Sequence, residues 1–137
     1  MTREETTKIL AVLKAAYPNS YKNMSQKEAL GTVAVWHMQF ADMPVDIVMM
    51  AIQKMISCSK FPPSISEVKQ KIQSIHWEAY EFLSNCIMRD MISEDEKKQY
   101  QRIYDATKGY KMDRMAEPSL SQMLPGGDRG LYLNSGQ

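Results

Sequence analysis

The sequence has little of several features that would by themselves point to a function. It has only two cysteines, Cys58 and Cys86, in 137 residues, which is typical of reduced thiols rather than a disulfide framework. Neither sign of charge dominates, because 17 Lys+Arg stand against 16 Asp+Glu. A protein that coats nucleic acid usually has a clear basic excess. No apolar run approaches the ~18–20 residues that span a bilayer, and the polar start of the chain shows no signal peptide.

Motifs that carry chemistry are also missing. There is no Gly-x-x-x-x-Gly-Lys-[Ser/Thr] segment to hold a triphosphate. His37 and His76 are far apart in sequence, and no His-x-x-x-His or Cys-x-x-Cys spacing predicts a zinc site. Glu78 and Glu81 share a helix face, but acid–base work by a carboxylate pair needs a dry pocket. We therefore predict a protein that is not an enzyme, with no catalytic residue, cofactor or metal.

Glycine is scarce before residue 110 and concentrated after it. Of the six glycines, only Gly31 and Gly109 precede Tyr110. The remaining segment also contains Pro118 and Pro125 and shows no sustained apolar periodicity. Such a segment cannot bury enough apolar surface to fold alone, so we predict a flexible tail over residues 110–137.

The rest of the chain carries helix signals, and we predict an all-α fold. Four segments match the capping box, in which a Ser or Thr side chain and a Glu three residues later satisfy the first backbone N–H groups of a helix. They begin at Thr2, Ser25, Ser64 and Ser93. We expect helices over 3–17, 26–40, 44–57 and from 65 onwards, with Pro44 in the first turn of its helix. The predicted organisation is a compact helical domain over 1–75, a helical extension over 76–109 and the flexible tail.

Apolar spacing predicts which faces are buried. The helix over 44–57 is apolar on most sides and should be the most buried one, with Val48 and Ile52 joining Leu13 in the core. For the helix over 26–40 the predicted buried face is Leu30, Val33, Ala34, Trp36, His37 and Phe40. The methionines predicted in the core or at its edge are Met24, Met38, Met43, Met49 and Met55, and Met50 is predicted on a polar side.

A long apolar stripe predicts a surface for a partner. It continues from Val68 past Ile75 through Ala79, Phe82, Leu83, Cys86 and Ile87. Cys86 is interpreted as a small hydrophobe on this face. The short helices before it cannot cover its distal part, and the helix after Ser93 has few apolar side chains. We therefore predict Phe82 and Leu83 as partner-binding residues.

Two apolar clusters interrupt the polar tail. A disordered segment can wrap a large surface and become ordered when it binds. Polar tails rarely keep such clusters without a partner, so we predict that both clusters bind one. The candidate residues are Leu120, Met123, Leu124, Leu131, Tyr132 and Leu133.

Three segments resemble a known family. They are Thr7-Lys8-Ile9-Leu10-Ala11-Val12-Leu13-Lys14-Ala15-Ala16-Tyr17-Pro18, then Val35-Trp36-His37, then Lys60-Phe61-Pro62-Pro63-Ser64-Ile65-Ser66-Glu67-Val68. In this order and spacing they are similar to the phage helicase loader and inhibitor proteins. The resemblance covers residues 5–75.

The resemblance implies a function that composition could not show. Members of the family bind the phage's DnaB-type hexameric replicative helicase, hold it inactive and help deliver it to an origin-bound initiator protein. Their C-terminal region is implicated in gripping the helicase, and they are not ATPases. The expected location is the cytoplasm of the bacterial host. Direct binding to nucleic acid and to membranes is not expected.

Two other interpretations stay open at this point. Residues 64–75 could form a recognition helix of a DNA-binding module, with Lys60, Lys69 and Lys71 facing phosphates. The absence of Arg from residues 4–88 weighs against this, because Arg is the usual reader of bases in the major groove. The chain could also be a structural or dimerisation protein.

Overall fold

The computed structural model describes residues 1–110, and within them it contains helices and no strand, which confirms the all-α prediction. Predictions that concern residues 111–137 lie outside the described residues. In chain order the elements are α1 (Arg3–Ala16), α2 (Pro18–Tyr21), α3 (Gln26–Phe40), α4 (Val45–Ile56), α5 (Ile65–Ser84), α6 (Cys86–Asp90), α7 (Glu94–Ala106) and a 3-10 helix (Lys108–Tyr110).

All four predicted capping boxes form. In α1, α3, α5 and α7 the cap side chain accepts a hydrogen bond from the backbone N–H of the glutamate three residues on, whose carboxylate accepts from the cap N–H. These contacts lie within one turn, so they form wherever the local sequence allows. Pro44 differs from its prediction, because it caps α4 in an extended conformation and does not enter the first turn.

Helix α4 is the most enclosed element, as predicted. It packs against α1 on one side and α5 on the other. Ile47, Val48, Ala51 and Ile52 are fully buried. Met50, predicted on the polar side, is half-buried and packs against the core, because the wide apolar surface of α4 leaves little of it outside.

The predicted buried face of α3 is confirmed for Trp36 and Phe40 and wrong for Leu30, and the prediction of Met38 at the core edge is also wrong. Trp36 and Phe40 are buried, but Leu30 is 61% exposed and Met38 is 73% exposed. Helix α3 packs mainly on α1, and its side chains from Ala29 to Ala41 include no charged residue that would mark the outer face. Because apolar residues lie on most sides of α3, their periodicity does not determine which side faces the core.

The long stripe after Val68 is interrupted. Helix α5 ends at Ser84, and Asn85 adopts an extended backbone (φ −88°, ψ 115°) while its side chain caps α6. The predicted continuity of the stripe is therefore wrong, whereas the exposure of Cys86 and Ile87 beyond this break agrees with the prediction that the distal stripe is left uncovered. The break comes from Asn85, whose side chain bonds to the backbone N–H of Met88 and so favours a new start over a continued helix.

Helix α7 folds back along α5 and completes the core. Ile103 of α7 is buried in the same cluster as Ile72, Ile75 and Ala79 of α5. The chain then turns at the 3-10 helix, where the Tyr110 hydroxyl donates to the carbonyl oxygen of Gln39 at 3.0 Å. Division of the chain at residues 75 and 109 remains a prediction about which segments fold independently.

Candidate partner-binding surfaces

The structure places two of the eight predicted partner-binding residues. Phe82 and Leu83 lie in the last turn of α5 and are half-buried. The other six lie outside the described residues: Leu120, Met123, Leu124, Leu131, Tyr132 and Leu133. The described part of the chain therefore tests only the surroundings of the predicted stripe.

Helix α7 covers more of that stripe than its few apolar residues suggest. The Phe82 ring stacks on Tyr100, with the ring centroids 4.6 Å apart and the planes 10° from parallel. A stacked aromatic pair contributes packing beyond its buried area. Phe82 thus has one covered face, and its partner-binding role remains a prediction for the side that α7 leaves open.

A buried polar contact fixes α7 against α5, and the sequence did not predict it. His76 and Thr107 are both fully buried, and His76 Nδ1 lies 2.9 Å from Thr107 Oγ1. The Thr107 hydroxyl donates its one proton to the carbonyl oxygen of Ile103 at 2.7 Å. The hydroxyl oxygen therefore accepts from Nδ1–H, which assigns the proton on that ring nitrogen.

Aromatic rings extend this contact. The His76 ring stacks on Tyr104 at 4.7 Å, and Tyr104 lies 6.2 Å from Tyr80. Trp77 packs edge-on against both His76 and Tyr80. The aromatic residues at helical spacing in α5 could have predicted this cluster. The sequence prediction considered mainly the aliphatic residues of that helix and so missed it.

The most exposed large apolar side chains of the described region lie in α6 and at its C-cap. Ile87 is 74% exposed and Met91 is 78% exposed. They are four residues apart, so they share one side of this short helix. We call this pair the α6 patch. It lies just beyond Leu83 in sequence, and Ile87 belongs to the predicted stripe whereas Met91 does not.

The loop between α4 and α5 presents one aromatic ring to solvent. Phe61 is 73% exposed, although its neighbour Pro63 is buried. The Ser59 hydroxyl donates to the carbonyl oxygen of Phe61 at 2.9 Å, and the Tyr17 hydroxyl donates to that of Ser59 at 3.0 Å. These bonds and the two prolines hold the loop, so the ring is exposed on a fixed support.

Two clefts of the described region show no catalytic arrangement of side chains. A cleft of about 230 Å³ between α1 and α3 is lined mainly by apolar side chains, with Lys14 as its charged one. A second, of about 240 Å³, includes Glu78, but that carboxylate faces Lys54 Nζ at 3.8 Å on an open surface. Within residues 1–110 no group of His, Cys, Asp and Glu is arranged to hold a metal ion.

No helix within residues 1–110 is both long enough and apolar enough to cross a bilayer.

One of the three lysines that a DNA-binding helix would offer to phosphates, Lys69, makes contacts within the protein. Lys69 Nζ donates to the Gln39 side chain at 2.6 Å. It also lies 6.0 Å from the ring centroid of Phe40 and 5.9 Å from that of Tyr110. Burial, followed by the nearby Asp42 carboxylate, raises the pKa of Tyr110 to about 12. Lys69 is thus held by the 3-10 helix and the end of α3, and is not presented to solvent as part of a basic face.

Comparison with known proteins gives one finding. Residues 1–69 match the family model that describes the N-terminal domain of the gene 39 protein. This match confirms the resemblance seen in the sequence, and it spans α1 to α4 and the first turn of α5. No curated protein and no solved structure matches the chain significantly. The aromatic contact between α5 and α7 and the α6 patch lie beyond the matched residues.

Proposed function

Because the chain belongs to the phage helicase loader and inhibitor family, that of the gene 39 protein, we propose that it binds the DnaB-type hexameric replicative helicase of its phage. It holds the helicase inactive and delivers it to the origin-bound initiator. The chain is thus a phage helicase-associated protein, and its place of action is the cytoplasm of the bacterial host.

The observation that supports this proposal is the family match across α1 to α4. Members of this family regulate a helicase and do not catalyse a reaction. Inhibition of this kind needs no chemistry, because a protein that binds one state of the helicase more tightly shifts the population toward that state. We therefore expect neither hydrolysis nor tight binding of ATP by this chain.

The proposed helicase contacts lie in the tail. The apolar clusters at residues 120–124 and 131–133 would supply buried side chains, and a polar chain around them would supply backbone hydrogen bonds. A segment that becomes ordered on binding loses entropy, so a few apolar anchors should carry most of the affinity.

A second proposed contact is the surface beyond the break in α5. Phe82 is covered on one face by Tyr100, while Leu83 is half-buried and the α6 patch is exposed. An exposed apolar surface of this kind usually marks a partner site. We propose that it contacts the helicase or the initiator, or a second copy of the chain.

The decisive experiment measures binding of the full-length protein to the purified cognate helicase by calorimetry. The triple variant L131S/Y132S/L133S should bind at least tenfold more weakly, which is the loss of one buried anchor. The matched control changes Asn134, Ser135 and Gln137 to Ala in the same tail and should bind as the unchanged protein does. Equal affinity of the triple variant would remove these residues from the interface.

Two further measurements separate the parts of the proposal. Inhibition predicts that the protein lowers the ATPase or unwinding rate of the helicase, and delivery predicts that the initiator releases the complex.

A separate experiment tests the second contact. The variant F82S/L83S should weaken helicase or initiator binding if that contact exists. Its melting temperature must be measured in parallel, because loss of the Phe82–Tyr100 stack also affects stability.

Of the three lysines in the DNA-binding interpretation, Lys69 bonds within the protein, whereas Lys60 is exposed. A titration with duplex DNA at low salt tests it directly. Tight binding with a steep dependence on salt would support that interpretation against the present proposal.

A further inference from the structure

The outer side of α3 carries an apolar surface whose residues are exposed, apart from one half-buried alanine. We call it the α3 face, and it consists of Gly31, Ala34, Val35 and Met38. At 100° per residue these four lie on the side opposite Trp36 and Phe40, which face the core. Val35 is 49% exposed and Met38 is 73% exposed.

Gly31 is unexplained by the structure of one copy. It lies in the interior of α3, where glycine costs roughly 0.5–1 kcal/mol relative to alanine. A Cβ atom at this position would meet nothing within 4 Å. No neighbour within the described chain therefore requires the missing side chain. A glycine on an exposed helix face leaves room for the side chain or backbone of a molecule that approaches from outside.

The α3 face is complementary to itself when two copies are placed antiparallel. With the midpoint between Ala34 and Val35, Gly31 lies opposite Met38, so a long side chain meets an empty position. The same placement brings Lys27 opposite Asp42, and both are exposed charged residues. Between Glu28 and Asp42 no Asp, Glu, Lys or Arg interrupts the surface. The packing of Met38 over Gly31 and the pairing of Lys27 with Asp42 therefore both require the same antiparallel register.

We propose that the α3 face binds a second copy of this chain, with the two α3 helices antiparallel about a two-fold axis. Met38 of the partner subunit packs over Gly31, and Asp42 of the partner subunit pairs with Lys27. The same contacts repeat on the other side of the axis, as an isologous interface requires. A single helix pair is smaller than a standard interface, so the dimer should be weak. The proposal does not depend on helicase binding.

The first test measures self-association of the full-length protein by sedimentation equilibrium from micromolar to millimolar concentration. The unchanged protein should show a reversible monomer–dimer equilibrium. G31F fills the position that Met38 of the partner subunit occupies, and it should remove the dimer. Because space around Gly31 is open in the monomer, the variant keeps its fold, and an unchanged helical circular dichroism spectrum checks this. The matched control A15F places the same ring on an exposed position of α1 and should leave the dimer intact.

The second test determines the register. K27E places a carboxylate opposite Asp42, and D42K places an ammonium group opposite Lys27. Each single variant should weaken the dimer by roughly threefold to tenfold, since two rim pairs become repulsive. The double variant K27E/D42K restores opposite charges and should return the dissociation constant to within about twofold of the unchanged protein.

Several outcomes would overturn the proposal. A protein that stays monomeric over the whole concentration range has no such interface. Association that G31F leaves intact uses another surface, of which the α6 patch is the obvious candidate. Single charge variants whose effects add in the double variant would exclude the antiparallel register.

Discussion

Helices α3 and α4 are both apolar on most sides, yet they are buried to different extents. Helix α4 packs between α1 and α5, and four of its residues are fully buried. Helix α3 packs mainly on α1, and it buries Trp36 and Phe40 while Leu30 and Met38 remain exposed. The comparison shows that apolar composition marks a helix as able to be buried, whereas the number of neighbouring elements decides how much of it is.

The largest difference in stability is expected between substitutions on the two sides of α3. Phe40 is fully buried and Leu30 is 61% exposed. F40A should lower the free energy of unfolding by about 3–5 kcal/mol, because it removes a packed ring and leaves a cavity. L30A should change it by less than about 0.5 kcal/mol. Urea denaturation of both variants, at a concentration where the protein is monomeric, measures the difference. Similar losses would mean that the outer side of α3 is covered.

The same contrast can be drawn between the two helices. Ile52 of α4 is fully buried, and I52A should destabilise the protein by about 2–5 kcal/mol in the same urea denaturation. M38A on α3 is the matched control and should be nearly neutral. A loss under about 0.5 kcal/mol for I52A would show that the core does not centre on α4.

The burial of α4 depends on α5, which α7 holds in place. T107V removes the hydroxyl that accepts from His76 Nδ1 and keeps the shape of the side chain. We expect a loss of about 1–3 kcal/mol, since a buried donor loses its acceptor. T7V is the control, because the Thr7 hydroxyl also donates to a carbonyl four residues back but is exposed. Thermal unfolding monitored by circular dichroism compares them, and equal melting temperatures for both variants would contradict the role of this contact.

A smaller effect of opposite sign is expected on the exposed side of α3. G31A should raise the free energy of unfolding by about 0.5–1 kcal/mol, because alanine restricts the unfolded chain and its Cβ meets open space. Chemical denaturation at low protein concentration separates this gain from any change in self-association. A destabilised variant would show that the surroundings of Gly31 are closed.

The smallest expected effect concerns the start of α3. The backbone N–H and the hydroxyl of Ser25 lower the pKa of Glu28 below its usual value of 4.5. A lowered folded-state pKa means that the stabilisation is fully present above the usual pKa and is lost as pH falls through the folded value. The melting-temperature difference between the unchanged protein and E28Q should therefore shrink from neutral pH to about pH 3. A difference that does not depend on pH would exclude a role for the ionised carboxylate.

Helix boundaries were predictable to within a residue or two at the N-termini, and the partners of the helices were not. The capping boxes at Thr2, Ser25, Ser64 and Ser93 all form. The predicted continuous stripe failed because Asn85 bonds to the backbone of the next turn, a local signal that the apolar spacing concealed. The family resemblance also came from the sequence, through the order and spacing of three segments in residues 5–75.

The candidate site was only partly predictable. Phe82 was identified from its place on the stripe, but its stacking on Tyr100 depends on how α7 returns along α5. The buried contact between His76 and Thr107 joins residues 31 positions apart. No local sequence pattern predicts such a pair, because a single histidine or threonine is common on exposed surfaces.

The sequence by itself determined where the four helices with capping boxes begin, that the fold is all-α and to which family the chain belongs. Those features rest on contacts within one helical turn and on residue order, which exist before the chain folds. Only the tertiary structure decided that α1 and α5 are the helices that enclose α4, that α3 turns Met38 outward and that α7 covers one face of Phe82. These outcomes depend on which surfaces meet. The hydrophobic effect is non-directional, so burial of either apolar side of such a helix is similarly favourable, and the helix's own sequence does not select the side.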